Sequence, residues 1–136
     1  MLAFAIFSTV ACNKNTGADQ ALLNGSWTMV KVSDEFTATT FTPPADMDDV
    51  IIHFNGDKHG GILSGVTSVN TIMPSPYTLA EVQTISIPSI SRTKVNEPQW
   101  GSLLLEHITT ANRYQVQPPN SLLIFTDNYI LQFEKN

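Results

Sequence analysis

Three histidines, one cysteine and a run of carboxylates are the side chains here whose types could carry chemistry. His53 and His59 flank Asp57, and a hairpin joining them would bring two imidazoles and a carboxylate together, a donor set suited to a divalent transition metal. A hairpin keeps the same residues equally well in solvent, and no metal is expected. His107 falls on a helical segment, off its apolar stripe, and reads as a surface residue. Asp46, Asp48 and Asp49 have a spacing like that of calcium loops, yet the D-x-[DN]-x-[DN]-G motif with its distal Glu is missing, so a solvated loop is expected. Serines are numerous, but no G-x-S-x-G elbow occurs and no spacing pairs one of them with a histidine and a carboxylate. Gly60-Gly61 and Gly65 lack the Lys-Ser/Thr and the following helix of a phosphate loop. No catalytic residue and no cofactor is expected, and the chain reads as non-enzymatic.

Cys12 has a different chemistry. As the lone cysteine it cannot form an internal disulfide, a C-x-x-C pair or a thiolate zinc cluster. The apolar run Leu2 to Val10 stops at Ala11-Cys12 and polar Asn13-Lys14-Asn15-Thr16-Gly17 follows. That run matches a signal-peptide core and is shorter than the roughly 20 residues a membrane span needs. Ser8-Thr9-Val10-Ala11-Cys12 resembles the lipobox of bacterial lipoproteins. The resemblance implies a signal peptide over residues 1–11, thioether lipidation of Cys12, and a lipidated tether over residues 12–21 whose small and polar residues show no apolar period. It implies a lipid-anchored protein of the bacterial cell envelope, at the outer membrane or periplasmic face. The alternative is a buried free cysteine on an N-terminal strand.

The 136 residues leave room for one domain, over residues 22–136. Charged residues make up only 14% of the chain, and 7 basic against 12 acidic residues give a net charge of −5. No basic stripe interrupts that balance, so nucleic acid is not an expected partner. Without disulfides, the core alone must stabilise the fold.

Short alternating runs dominate the domain. Strands are expected at Trp27 to Val32, Val50 to Phe54, Gly61 to Val69, Tyr77 to Leu79, Val82 to Ile87, Arg113 to Gln117, Leu122 to Phe125 and Tyr129 to Phe133. Asn55-Gly56 reads as the turn of a hairpin, and Met73-Pro74-Ser75-Pro76 as an excursion, because proline has no donor for a ladder. One helix is expected between Asn96 and Asn112, with Asn96 and Gln99 as a capping box, Pro98 in the first turn, and Trp100, Leu103, Leu104 and Ile108 on one face. The sum is an α+β fold in which a curved, mainly antiparallel β-sheet, partly barrel-like, packs on a single α-helix.

Several dispersed segments resemble the META domain, the HslJ-like family of small bacterial envelope proteins. They are Leu23-Asn24-Gly25-Ser26-Trp27, Ile52-His53-Phe54-Asn55-Gly56-Asp57, Leu63-Ser64-Gly65-Val66 leading to Asn70, Ile90-Ser91-Arg92-Thr93-Lys94, and the closing Arg113-Tyr114-Gln115-Val116, Leu122-Leu123-Ile124-Phe125 and Leu131-Gln132-Phe133. The cysteines of many members are replaced here by Ser68-Val69-Asn70 and Thr93-Lys94-Val95. The resemblance implies a secreted or lipid-anchored protein with a protein-interaction or stress-tolerance role and no enzymatic chemistry. A Gly-x-Trp opening with consecutive hairpins also resembles a lipocalin, which would imply an up-and-down barrel carrying a small apolar molecule. Trp27 and Trp100 are expected in the core, whereas Phe36 and Phe41 sit in a polar segment and are the candidates for contact with another envelope protein.

Overall fold

The computed structural model of the protein describes residues 22–136, so the signal segment, Cys12 and the tether lie outside the described residues. Among the described residues there are ten strands: β1 (Gly25–Asp34), β2 (Thr39–Phe41), β3 (Ile51–Asp57), β4 (Gly60–Val66), β5 (Thr71–Ala80), β6 (Thr84–Ser86), β7 (Ser91–Arg92), β8 (Arg113–Gln117), β9 (Ser121–Phe125) and β10 (Tyr129–Lys135). The helix α1 (Gln99–His107) runs into a 3₁₀ turn, Ile108–Thr110, before β8.

All pairings among the described residues are antiparallel, and β1 and β10 meet, from Tyr129 opposite Asp34 to Lys135 opposite Trp27. This closes β1, β3, β4, β5, β6, β8, β9 and β10 into an eight-stranded up-and-down barrel, with β2 attached to β1 and β7 to β5. The curved sheet expected from the sequence is thus a complete barrel. The ring is thinnest between β6 and β8, where the ladder consists of Thr84 opposite Arg113.

Alternation sends one side chain in two inward, and bulges adjust the count. Met29 and Val32 are both buried although three residues apart, because Gln132 pairs with Lys31 and Phe133 with Met29, leaving Val30 as the extra residue of a bulge. Ile72 and Ser75 are related in the same way across the register shift between Leu63 and Gly65. That shift explains why Pro74 and Pro76 lie inside β5 rather than in the expected excursion. Between Met73 and Thr78 the far edge of β5 has no ladder partner, and the Ser75 hydroxyl, which accepts from the Ser91 N–H at 3.0 Å, spans part of the gap.

The expected Asn55-Gly56 turn is displaced. Both residues belong to β3, and the hairpin turns at Lys58-His59, where Asp57 Oδ1 accepts from the His59 N–H at 2.8 Å and Gly60 takes φ +131°. The expected strand from Val82 shortens to Thr84–Ser86 because Val82 (φ 59°) and Gln83 (φ 58°) are left-handed turn residues. The capping box does not form: Pro98 is the N-cap with no side-chain cap bond, and Asn96 lies outside the helix.

Antiparallel alternation puts the connections at two poles. At one are the β3–β4, β5–β6 and β8–β9 turns and the entry of the chain. There Trp27 Nε1 donates to Leu23 O at 2.8 Å, and the Asn24 carboxamide pairs with both the N–H and the C=O of Gly56, at 3.0 and 2.9 Å, as a strand residue would. At the other pole α1 lies across the barrel. Its first turn meets Phe41, Pro44 and Met47, and at its far end His107 stacks on Tyr129 with ring centroids 4.0 Å apart. Trp100, Leu103, Leu104, Leu105 and Ile108 join Trp27, Met29, Ile52, Leu63, Ile85, Tyr114, Leu131 and Phe133 in one core, so side chains fill the barrel interior.

Candidate functional site

The helix pole assembles three segments distant in sequence. The loop Thr42–Asp49 that follows β2 consists of exposed residues and, among the described residues, makes a single backbone hydrogen bond of its own, Met47 N–H to Pro44 O at 3.4 Å. Beside it run the β4–β5 connection, with Thr67, Ser68, Val69 and Asn70, and the entry into α1 from Thr93 to Trp100.

A polar network joins the last two. Asn70 is 3% exposed and its carboxamide is saturated: Nδ2 donates to Val95 O (2.8 Å) and Glu97 Oε1 (2.7 Å), while Oδ1 accepts from Thr93 Oγ1 (2.8 Å) and the Val95 N–H (2.9 Å). Thr67 Oγ1 adds a second donor to Glu97 Oε1 at 2.5 Å. The other oxygen, Oε2, is buried without a partner and sits over Gly101, where a Cβ would lie 2.1 Å from it. Glu97 thus fixes the start of α1 in place of the capping box, and Gly101 makes room for it.

Three clefts open around this framework. One of about 310 Å³ lies between loop and helix and is lined by Phe41, Thr42, Pro44, Met47, Gln99, Trp100 and Leu103. A second, about 260 Å³, shares Met47 and is walled by Asp46, Asp48, Ser68, Val69 and Pro98. The third, about 320 Å³, lies by Arg92, Lys94, Glu97, Ser102 and Glu106, where two cations and two carboxylates leave no net preference for charge. Two residues that line the first two, Trp100 and Ser68, have buried polar atoms, Nε1 and Oγ, with no hydrogen-bond partner among the described residues. Buried donors are nearly always paired in native proteins, which singles these walls out.

Of the two aromatic candidates, Phe36 is 88% exposed at the tip of the β1–β2 turn, and Phe41 is half-buried and forms a wall of the first cleft. The structure does not bring them into one site. No metal-binding group of three His, Cys, Asp or Glu occurs among the described residues. His53 instead meets Ser26, Nδ1 to Oγ at 2.5 Å, on the exposed outer face of the barrel. Sequence spacing did not disclose this serine–histidine pair; no described carboxylate orients it and neither residue lines the three clefts. Asp46, Asp48 and Asp49 are exposed and make no ion pair among the described residues. Met47, Ser68 and Trp100 were missed as cleft residues, and the only sequence sign was an apolar Met47 among aspartates.

Elsewhere, Tyr77 is 2% exposed and packs edge-on to Phe54 with centroids 5.1 Å apart. Burial, then the nearby Asp57 carboxylate and Tyr114, push its phenol up to about 12.

The fold and this pole define a small, closed, antiparallel barrel with a helix across one end and surface clefts beside it. The chain is similar to a DUF4847 family protein from Bacteroides vulgatus, with a TM-score of 0.61 and 19% identity over 88% of this chain and 98% of that one. The likeness shows the fold. No protein-family model matches the sequence, and no curated protein does.

Proposed function

We propose that the protein is a non-enzymatic, lipid-anchored protein of the bacterial envelope that binds another envelope component at its helix pole. The observation that supports the reading is the opposition of the two poles. The chain enters at Leu23 and Asn24, pinned to β3 through Gly56, while the clefts and the exposed Phe36 lie at the far end. A lipid on Cys12 would then hold one pole towards the membrane and turn the other away. The META-like residues add the expectation that such contact serves stress tolerance.

A small-molecule carrier of lipocalin type is the second reading, favoured by closure of eight strands into an up-and-down barrel. A carrier needs an apolar cavity of some hundreds of cubic ångströms, and here Trp27, Met29, Leu104 and Phe133 occupy the interior. The packed interior favours the first reading.

Intact mass of the protein extracted in detergent from native membranes, compared with a Cys12→Ser variant, tests the anchor. The expected result is an acylated species beginning at Cys12 and lost in the variant. An unmodified chain beginning at Met1 overturns it.

A further inference from the structure

We propose that the paired clefts on either side of Met47 bind a short peptide segment of a partner protein, one that presents a Leu- or Phe-like side chain beside a Lys or Arg. This rests on the reading of the helix pole as the binding end and names what binds there.

The first cleft supplies an apolar seat. Phe41, Pro44, Met47, Trp100 and Leu103 surround about 310 Å³, the low end of the range for ligand sites and enough for an apolar side chain. Met47 stands between the two clefts at 38% exposure, and its unbranched thioether can repack around different shapes. The second cleft supplies charge. Asp46 and Asp48 stand in its wall and engage no cation among the described residues, so a basic side chain entering there would meet two exposed carboxylates.

The buried walls supply the polar complement of a main chain. Trp100 is 3% exposed and its Nε1 has no acceptor among the described residues; Ser68, a residue of the neighbouring cleft, has a buried Oγ likewise without a partner among them. An indole N–H can only donate, so what it lacks is an acceptor such as a peptide carbonyl. A simple apolar molecule would leave both atoms as they are, and an anionic ligand would meet Asp46 and Asp48. A peptide with adjacent apolar and basic side chains satisfies the seat, the charge and the donors together. A carbonyl reaches the indole only if the exposed Thr42–Asp49 loop moves aside, which breaks one backbone bond of 3.4 Å among the described residues.

The test uses the full chain labelled with nitrogen-15 and two synthetic probes, acetyl-Ala-Leu-Lys-Leu-Ala-amide and its counterpart with Glu in place of Lys. The Trp100 indole signal is assigned by its loss in Trp100→Phe. The expected result is movement of that signal and of the loop amides from Asp46 to Asp49 with the Lys peptide and not with the Glu peptide. Binding should weaken about threefold to tenfold in Asp46→Asn/Asp48→Asn, whose sites are exposed and leave the fold intact. Equal response to both peptides overturns the proposal, as does no response up to millimolar peptide. So does a response to vesicles of phosphatidylethanolamine and phosphatidylglycerol alone, or a shift that grows with protein concentration in the absence of peptide, which would give the clefts to a membrane or to a second copy. Acylation of Cys12 is read by mass, so failure of the anchor and failure of the peptide site are separate results.

Discussion

Gly101→Ala sets two effects against each other. In an ordinary helix the change is stabilising, by up to about 1 kcal/mol. Here the new Cβ would lie 2.1 Å from Oε2, 2.4 Å from Cδ and 2.9 Å from Cγ of Glu97. The carboxylate cannot simply swing away, because Thr67 and Asn70 hold its other oxygen at 2.5 and 2.7 Å. Hydrogen bonds to a charged group contribute about 1.5 kcal/mol each at the low end, so displacing Glu97 costs about 3 kcal/mol. The expected net effect is a loss of about 2 kcal/mol, or a melting temperature lower by several degrees in a domain of this size. In a Glu97→Ala background the clash is gone and the same substitution should stabilise by up to about 1 kcal/mol, giving a coupling of about 3 kcal/mol. Urea unfolding followed by tryptophan fluorescence reads all four corners of this cycle. Gly101→Ala raising the midpoint in the natural sequence, or a coupling within the roughly 0.5 kcal/mol of simple additivity, would refute the claim that Glu97 is locked over the helix.

Two further outcomes follow from local geometry. Val82 is β-branched, 61% exposed and left-handed at φ 59°, so Val82→Asn should stabilise by about 1 kcal/mol in urea unfolding, and an unchanged or lower midpoint would show that the turn is not strained. Tyr77 should titrate late in the absorbance of its phenolate near 295 nm. Its folded pKa of about 12 lies above the ordinary 10.0, so the stability it contributes is complete below pH 10 and is lost as pH rises through about 12; Tyr77→Phe should flatten that alkaline decline, and an unchanged decline would assign it elsewhere.

Most strands were legible because each is a short alternation closed by turn residues, as in Leu122 to Phe125, which stands within one residue of β9. The helix was legible from Trp100, Leu103, Leu104 and Ile108, all buried as the spacing requires. What failed was local chemistry overruled by contacts from elsewhere. Asn55-Gly56 has the composition of a hairpin turn, but Gly56 is clamped in the sheet by Asn24, thirty-two residues away, and the turn passes to Lys58-His59. Pro74 and Pro76 read as breakers, yet they fall where the edge of β5 away from β4 has no ladder partner. Closure of the barrel depends on Tyr129 finding Asp34, and periodicity carries no trace of such a pairing. Of the site, Phe41 was visible as an aromatic out of place; the rest was not, because Met47, Ser68 and Trp100 become neighbours only once the helix crosses the pole.

The meeting of β1 and β10 has a consequence for how the chain folds. A ring closed by β1 and β10 cannot be completed until β10 has been made, and contacts so far apart in sequence slow folding. Until β10 arrives, one edge of β1 from Trp27 to Asp34 offers unpaired N–H and C=O groups to any other extended chain. A chain emerging N-terminus first therefore exposes this edge early and covers it last, and any strand that pairs with it in the meantime competes with closure of the barrel.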